Sequence, residues 1–182
     1  MQEHSDSELL SLFRDAGRKS YAFNMIVRKY QDRLYWHIRK MVIVHDDADD
    51  LLQNCFMKAW KGLDNFRGES QLYTWLYRIA TNEALSFLKE KKRKYFLPVV
   101  DAEAELSSNL EGDEYFDGDE LQLKLQKAIL CLPEKQRLVF NMRYFDEMKY
   151  EDMAQILDTS VGALKASYHH AAKKIEHMIK GD

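Results

Sequence analysis

The sequence predicts an all-α protein of two small helical domains joined by an acidic linker. The chain has 182 residues, of which 46% are hydrophobic and 31% charged, while only 7 are Gly and 2 are Pro, a composition typical of folded proteins with few turns. Apolar residues recur every three or four positions from Glu8 to about Lys94 and again from Glu120, as amphipathic helices require. The stretch 95–119 interrupts this period. The predicted domains therefore span 1–94 and 120–182.

Four helices are predicted in the N-terminal domain. The first is Ser7–Ala16 and the second is Ala22–Val44, each with an apolar stripe along one side. The third begins near Asp47, where acidic side chains favour a helix N-terminus. After a Gly-containing loop at 64–69, Ser70 is expected to cap the fourth helix.

The linker 95–119 is predicted from its composition and its charge. It contains Pro98 and two Gly, and nine acidic residues without a single basic one lie between Asp101 and Glu120. The net charge of −3 for the whole chain therefore conceals two modules that together carry a positive charge. Such modules favour an anionic partner, nucleic acid above all.

The C-terminal domain contains a candidate helix-turn-helix. After the helical segments Glu120–Leu132 and 134–145, two shorter helices, Tyr150–Leu157 and Gly162–Ile179, flank a four-residue break. Ser160 can cap the second of them, which in a helix-turn-helix enters the major groove. The residues predicted on its exposed face are Lys165, Ser167, His169, His170, Lys173 and Lys174.

Two other interpretations of this segment stay open. It can be an ordinary helical hairpin with a solvated basic face, because Asp158 stands where such turns usually have Gly. The three histidines His169, His170 and His177 suggest a metal site, although no acidic or cysteine partner lies at ligand spacing.

A second candidate surface follows the loop of the N-terminal domain, where aromatic and basic residues are interleaved. These residues are Phe66, Arg67, Tyr73, Trp75, Tyr77, Arg78, Lys89, Lys91, Lys92, Arg93 and Lys94. Aromatic faces stack on unpaired bases while cations hold phosphates, so the mixture suits separated DNA strands better than an intact duplex. By helical phase Trp75 and Leu76 are expected to be structural, whereas Phe66 in the loop is the better candidate for touching a base.

Several other classes of protein are disfavoured. The chain has no P-loop, no GxGxxG and no zinc-ligand spacing, so neither an enzyme nor a cofactor is predicted. Its apolar runs fall far short of the ~20 residues that cross a bilayer, and its polar N-terminus is unlike a signal peptide, so a cytoplasmic location is expected. Cys55 and Cys131 lie in apolar helical patterns and are expected to be buried and reduced.

Five segments of the chain resemble, in the same order, the bacterial RNA polymerase sigma factors of the extracytoplasmic-function (ECF) group. The segments are AFNMIVRKYQDRLY, DADDLLQNCFMKAW, FRGESQLYTWLYRIATN, LPEKQRLVFNMRYF and YEDMAQILDTSVGALK. Together they extend over nearly the whole chain. The resemblance implies a transcription initiation factor that binds core RNA polymerase, directs it to promoters and helps to melt the DNA by capturing a flipped base.

The resemblance also assigns roles in the N-terminal, region 2-like domain. Segment 47–60 is similar to the main polymerase-binding helix, and its implied docking residues are Asp49, Asp50, Gln53 and Asn54. The loop 66–70 and the next helix resemble the reader of the minus-ten promoter element, with Phe66 and Asn82 at the base pocket. The implied contacts to this element are Phe66, Arg67, Trp75, Arg78, Asn82, Lys91, Lys92 and Arg93. Stacking of ~1–3 kcal/mol per base can offset the free energy of flipping.

In the C-terminal, region 4-like domain, the last helix resembles the reader of the minus-thirty-five promoter element. The implied contacts are Arg143, Ser160, Lys165, Ser167, His169, His170 and Lys173. Relatives commonly have Arg at the positions of Ser167 and His170. A different sequence preference or weaker binding of this element is therefore expected.

The resemblance implies two further features and leaves one alternative. It implies a partner anti-sigma protein, and a linker that threads polymerase channels normally used by RNA, where acidic charge could imitate phosphates. The alternative is a conventional helix-turn-helix transcriptional regulator that binds duplex DNA without polymerase, with its N-terminal half serving as a partner-binding domain.

Overall fold

The computed structural model describes residues 4–95 and 120–181, and all regular secondary structure in this part of the chain is helical. Eight α-helices follow one another: α1 Asp6–Arg14, α2 Lys19–Val42, α3 His45–Gly62, α4 Leu72–Tyr95, α5 Glu120–Leu130, α6 Glu134–Tyr144, α7 Tyr150–Leu157 and α8 Val161–Lys180. A single 3-10 turn, Leu63–Asn65, extends α3. The predicted all-α class is confirmed, and the acidic linker lies outside the described residues.

Local sequence explains where the first helices begin and end. Ser5 and Glu8 form a capping box at the start of α1, in which Ser5 Oγ accepts from the Glu8 N–H at 3.3 Å and Glu8 Oε2 accepts from the Ser5 N–H at 2.7 Å. At the end of α2, Ile43 adopts a left-handed φ of 69°. This conformation is unusual for a β-branched residue, and it turns the chain directly into α3.

The N-terminal domain packs α1, α3 and α4 around the long helix α2. Its fully buried side chains include Ile26, Leu34 and Ile38 from α2, together with Cys55 from α3 and Leu76 from α4. These residues recur at helical intervals, so each helix buries one stripe. The structural role predicted for Leu76 is thereby confirmed.

The C-terminal domain is formed by α5 to α8. Its own core contains Ile129, Leu132, Phe140 and Ile175, and the Tyr168 ring stacks on Phe140 with ring centroids 5.6 Å apart. Since Phe140 lies in α6 and Tyr168 in α8, this aromatic pair fixes the last helix against the domain.

Two local predictions are wrong. Ser70 does not cap the fourth helix, because α4 begins two residues later at Leu72. Cys131 is exposed, whereas Cys55 is buried as expected. Cys131 is exposed because α5 ends at Leu130. Helical periodicity therefore does not determine the direction of the Cys131 side chain.

The two domains pack against each other, an arrangement that their sequences do not indicate. Helix α4 contacts α7, and α2 contacts α6. Leu138 and Met142 from α6 and Met153 from α7 belong to the same buried cluster as the N-terminal core. Ile43, at the bend after α2, is buried against Leu130 of α5. A continuous apolar interface therefore joins the domains.

Candidate nucleic-acid interface

Helices α7 and α8 form a helix-turn-helix with well-satisfied ends. Helix α7 ends at Asp158, which adopts the left-handed conformation (φ 48°, ψ 54°) and donates its N–H to the Ala154 carbonyl. Asp tolerates this conformation better than most residues other than Gly, so its departure from the usual Gly does not disrupt the turn. Ser160 Oγ accepts from the Ala163 N–H at 3.2 Å, and the predicted cap is confirmed.

The cap at Ser160 should contribute measurably to stability. We expect Ser160→Ala to lower the free energy of unfolding by about 1 kcal/mol, because the N–H of Ala163 then loses its acceptor. Urea denaturation followed by circular dichroism measures this difference. Thr159→Ala, at the exposed neighbouring position, is the matched control, and an equal loss in both variants would show that the cap is not the cause.

The predicted contact residues of α8 divide into an exposed set and a half-buried one. Lys165, His169 and Lys173 are exposed at intervals of four residues on one face, beside the exposed His170. Ser167 is half-buried and lines a groove of about 310 Å³ with Leu85 of α4. The exposed set matches the polar face expected of a major-groove helix.

Arg143 lies next to this helix, and its side chain contacts other residues of the same domain. Its Nη1 donates to the Met148 carbonyl at 3.0 Å, and its guanidinium lies 5.1 Å from the Tyr150 ring. Lys165 Nζ is 5.7 Å from the same ring. Arg143 therefore holds the loop before α7 and shares Tyr150 with a predicted DNA contact of α8.

In the N-terminal domain, the loop after α3 and the first turns of α4 form a cleft of about 590 Å³. Phe66, Arg67, Trp75 and Arg78 all line it. The Phe66 and Trp75 rings lie 5.2 Å apart and are tilted by 49°. A half-buried aromatic pair that shares a cleft with two guanidinium groups offers both a stacking surface and phosphate-binding charge.

Trp75 reaches this position because Gly62 leaves room for it. A Cβ at Gly62 would lie 3.0 Å from Trp75 Cζ2, closer than such atoms normally approach. The indole thus packs on the end of α3 while its half-buried ring faces the cleft. Trp75 is therefore both structural, as predicted from its phase, and part of the candidate site.

The other predicted minus-ten residues lie further along α4. Asn82 is exposed one turn beyond Arg78 and does not line the cleft. Lys91 Nζ lies 3.7 Å from a carboxylate oxygen of Asp47, whereas Arg93 is exposed. The side chain of Lys92 lies outside the described residues. Among the members of this set whose side chains the structure describes, the aromatic pair and the two arginines are the ones that line the cleft.

The cleft also has two lining residues from the C-terminal domain, which the sequence did not predict. Gln155 and Asp158, from α7 and its end, line the cleft together with the N-terminal residues. No motif could have revealed them, because their position depends on how the two domains pack.

The predicted docking face of α3 is accessible. Asp49, Asp50 and Gln53 are exposed and Asn54 is half-buried. Asp49 also lies 3.3 Å from His45 Nε2. The polar face predicted from the helical pattern is therefore present as a continuous surface.

Two large apolar side chains extend this face, and the sequence pattern did not assign them to it. Met57 is 51% exposed and Trp60 is 36% exposed. Trp60 also packs edge-on against Phe23, with ring centroids 5.0 Å apart. Exposed apolar groups beside polar ones are typical of a protein-binding surface.

The Cys55 thiol lies in the buried core of the N-terminal domain. Burial raises the pKa of the Cys55 thiol to about 12, which leaves it unreactive at neutral pH. Among the described residues, no three His, Cys, Asp or Glu side chains are grouped so as to hold a metal ion. Within the same ranges, none of the helices combines the length and apolarity that a membrane crossing demands.

Fold and surfaces together indicate a two-domain helical DNA-binding protein, with a helix-turn-helix in one domain and, in the other, a cleft that contains an aromatic pair and two arginines. Comparison with protein families narrows this class. Residues 26–94 match the family model "Sigma-70 region 2" and residues 122–175 match "Sigma-70, region 4".

Similar proteins point to one group within this family. The chain is 30% identical to RNA polymerase sigma-H factor of Pseudomonas aeruginosa, over 99% of this chain and 96% of that protein. It is 32% identical to ECF RNA polymerase sigma-E factor of Escherichia coli, over 87% of each chain. The chain therefore belongs to the ECF-type RNA polymerase sigma factors. It is a non-enzymatic transcription initiation factor that directs RNA polymerase to promoters.

Two solved structures share the fold. One is the sigma factor RpoE in complex with the anti-sigma factor NepR from Bartonella quintana, with a TM-score of 0.67, 24% identity, and coverage of 88% of this chain and 98% of that one. The other is CnrH in complex with the cytosolic domain of CnrY, with a TM-score of 0.68, 22% identity, and coverage of 97% and 99%.

Proposed function

We propose that the cleft of the N-terminal domain captures a flipped base of the minus-ten element during promoter opening. The observation that carries this proposal is the Phe66–Trp75 aromatic pair, which lines one cleft together with Arg67 and Arg78. A base that leaves the duplex loses its stacking and requires an aromatic face in exchange, while the adjacent phosphates require cations. Asn82 would contact the DNA beyond the cleft.

The exposed face of α3 is proposed to bind core RNA polymerase. Asp49, Asp50 and Gln53 supply polar groups, with Asn54 at their edge, and the exposed Met57 supplies apolar area beside them. This combination fits a protein partner, since protein interfaces join an apolar centre to a polar rim. A DNA-binding role for this face is disfavoured because its charge is acidic.

The α8 face is proposed to bind the minus-thirty-five element in the major groove. Lys165, His169 and Lys173 point to one side of the helix, with His170 adjacent. Imidazole and ammonium groups can contact both phosphates and base edges. The half-buried position of Ser167 limits its reach in the packed arrangement.

We propose 1–94 and 120–182 as the two functional domains.

Lys165 provides a direct test of the α8 face. If its ammonium touches a phosphate, Lys165→Ala should weaken promoter binding by the polymerase complex and reduce the slope of log affinity against log salt concentration by up to about one unit. Fluorescence anisotropy over a salt series measures that slope. Lys180→Ala, which removes a lysine paired with Glu176 at the far end of the same helix, is the control and should leave the slope unchanged.

Run-off transcription tests the proposed function as a whole. Core polymerase with this protein should initiate at a subset of a promoter panel, and core polymerase alone should not. Gel shifts separate this function from that of a conventional helix-turn-helix regulator, which binds its duplex site tightly without polymerase. Tight duplex binding by the isolated chain, with no change in transcription start sites, would favour the regulator.

We further propose that the protein acts in the cytoplasm and is held inactive there by an anti-sigma protein. The support is the fold shared with a sigma factor in complex with an anti-sigma factor and with CnrH in complex with the cytosolic domain of CnrY. Purification of the tagged chain from the cytosolic fraction of its native cells tests both proposals. The chain should be present in that fraction, and an anti-sigma protein should co-purify with it.

A further inference from the structure

Two histidines lie side by side on the exposed face of α8. His169 and His170 are both exposed, and their ring centroids lie 6.1 Å apart. Lys165 lies one turn before His169 and Lys173 one turn after it, and both are exposed. Side chains four residues apart lie on the same side of a helix, so His169 lies between two ammonium groups. We call Lys165, His169, His170 and Lys173 the imidazole face.

The imidazole face lies in a stretch of α8 without acidic residues. None occurs between Val161 and Ile175, and Glu176, which follows, pairs with Lys180. Helices α5, α6 and α7 pack against α8, and their charged or titratable side chains are Glu120, Lys124, Lys127, Glu134, Lys135, Arg137, Arg143, Tyr144, Tyr150, Glu151 and Asp152. On α8 itself the others are Tyr168, Lys174, Glu176, His177 and Lys180. In the part of the chain that the structure describes, no hydrogen bond or ion pair joins any of these groups to His169 or His170.

DNA would supply the acceptors that the two imidazoles lack. A neutral imidazole has one N–H donor, whereas the protonated ring has two donors and a positive charge. A nearby phosphate favours the protonated form, because opposite charges attract. Imidazole is also the side chain that changes its charge between about pH 5 and pH 8, whereas an ammonium group stays protonated over the whole of this range. Contact with DNA would therefore draw protons onto the histidines but not onto the lysines.

We propose that binding of the minus-thirty-five element by α8 takes up protons at His169 and His170, so that promoter affinity rises as the pH falls. Each imidazole accepts one proton from solution, and no other bond forms or breaks. This inference deepens the role proposed for α8 and rests on it. It makes the two histidines the residues through which promoter binding responds to pH.

Promoter binding by the complex of this chain with core polymerase, measured over a range of pH, tests the inference. The probe is a fluorescent duplex promoter selected from the run-off panel, and anisotropy is recorded at constant salt, because salt weakens phosphate contacts independently. Each linked proton changes the affinity by at most about tenfold per pH unit. We expect the Kd at about pH 6 to be at least about threefold lower than at about pH 8.

The double variant His169→Gln with His170→Gln should lose this pH dependence, since Gln keeps hydrogen-bonding groups but does not titrate. His170→Arg carries a permanent charge, so it should bind more tightly at the alkaline end of the range and show a shallower pH dependence. His177→Gln, also exposed and nearer the end of α8, is the matched control and should keep the full dependence. Core polymerase is common to all these measurements, so titration of its own groups cancels in the comparison.

Three results would overturn proton uptake at the imidazole face. The first is a Kd of the unmodified protein that does not change with pH. The second is a pH dependence that persists in the double Gln variant. The third is a loss of affinity in that variant by the same factor at every pH, which would show contact with DNA without proton uptake. Urea denaturation of each variant confirms that the exposed substitutions leave the fold intact.

Failure of the proposed role of α8 itself would give a different result. In that case Lys165→Ala and the double Gln variant would both bind the promoter as the unmodified protein does at every pH. If Lys165→Ala weakens binding while the double Gln variant keeps the normal pH dependence, α8 binds the promoter and only the proton uptake is wrong. The two failures are thus distinguished by separate variants.

Discussion

Phe66→Ala is expected to reduce open-complex formation by about 5- to 150-fold, the equivalent of the ~1–3 kcal/mol that stacking of one base contributes. The reason is that Phe66 is the half-buried loop aromatic at the cleft, supported by Trp75 at 5.2 Å. Binding to core polymerase should be unchanged, because base capture follows docking. Permanganate footprinting of melted thymines measures opening, and co-purification with core polymerase measures docking.

The conservative variant Phe66→Tyr serves as the control, since it keeps an aromatic face and should retain most of the activity. Because Phe66 also packs on Trp75, urea denaturation of both variants must show a folded protein. Equal losses of opening and of polymerase binding in Phe66→Ala would contradict base capture and indicate damage to the domain.

Helix caps and the buried stripes of single helices could be predicted from the sequence, because they depend on residues that are close together in the chain. The helix-turn-helix is one case, where Ser160 lies in the break and caps α8. The buried stripe of α2, with Ile26, Leu34 and Ile38 at helical spacing, is another. The wrong predictions concern helix ends, where helical periodicity no longer determines which side chains are buried. Cys131 lies one residue beyond α5 and is exposed.

The contacts between the domains could not be predicted by the same reasoning. His37 and Asp146 are separated by 109 positions, and neither belongs to a motif that indicates its partner. A histidine in an amphipathic helix is indistinguishable from an ordinary polar residue until the surface that packs against that helix is known. The same limit applies to the cleft, because its walls combine Arg67 and Arg78 with Asp158 from the other domain.

The α3 face was predicted for its polar residues but not for its apolar ones. The Trp60 ring packs on Phe23. Yet it stays 36% exposed, because an indole is large enough to contact the core with one edge and solvent with the other. Met57 is exposed for a simpler reason, as it lies on the same side of α3 as Gln53. The combined surface is more apolar than its sequence pattern suggested.

Asp50→Lys is expected to weaken association with core RNA polymerase by at least about tenfold, because a reversed charge at a complementary interface costs several kcal/mol. Asp50 is exposed in α3, beyond its first turn, so the substitution should leave the free energy of unfolding nearly unchanged. Competition for labelled core polymerase measures the affinity in the absence of DNA.

Glu90→Lys makes the same change of charge at an exposed position of α4 and is the matched control. It should compete as well as the unmodified protein, since it lies outside the α3 face. Gln53→Ala, one turn from Asp50, should give a smaller loss in the same direction, because it removes a hydrogen-bonding group without introducing repulsion. Normal competition by Asp50→Lys would show that the polymerase-binding surface does not lie on α3. The exposed Met57 and Trp60 would then belong to the binding site of a different partner.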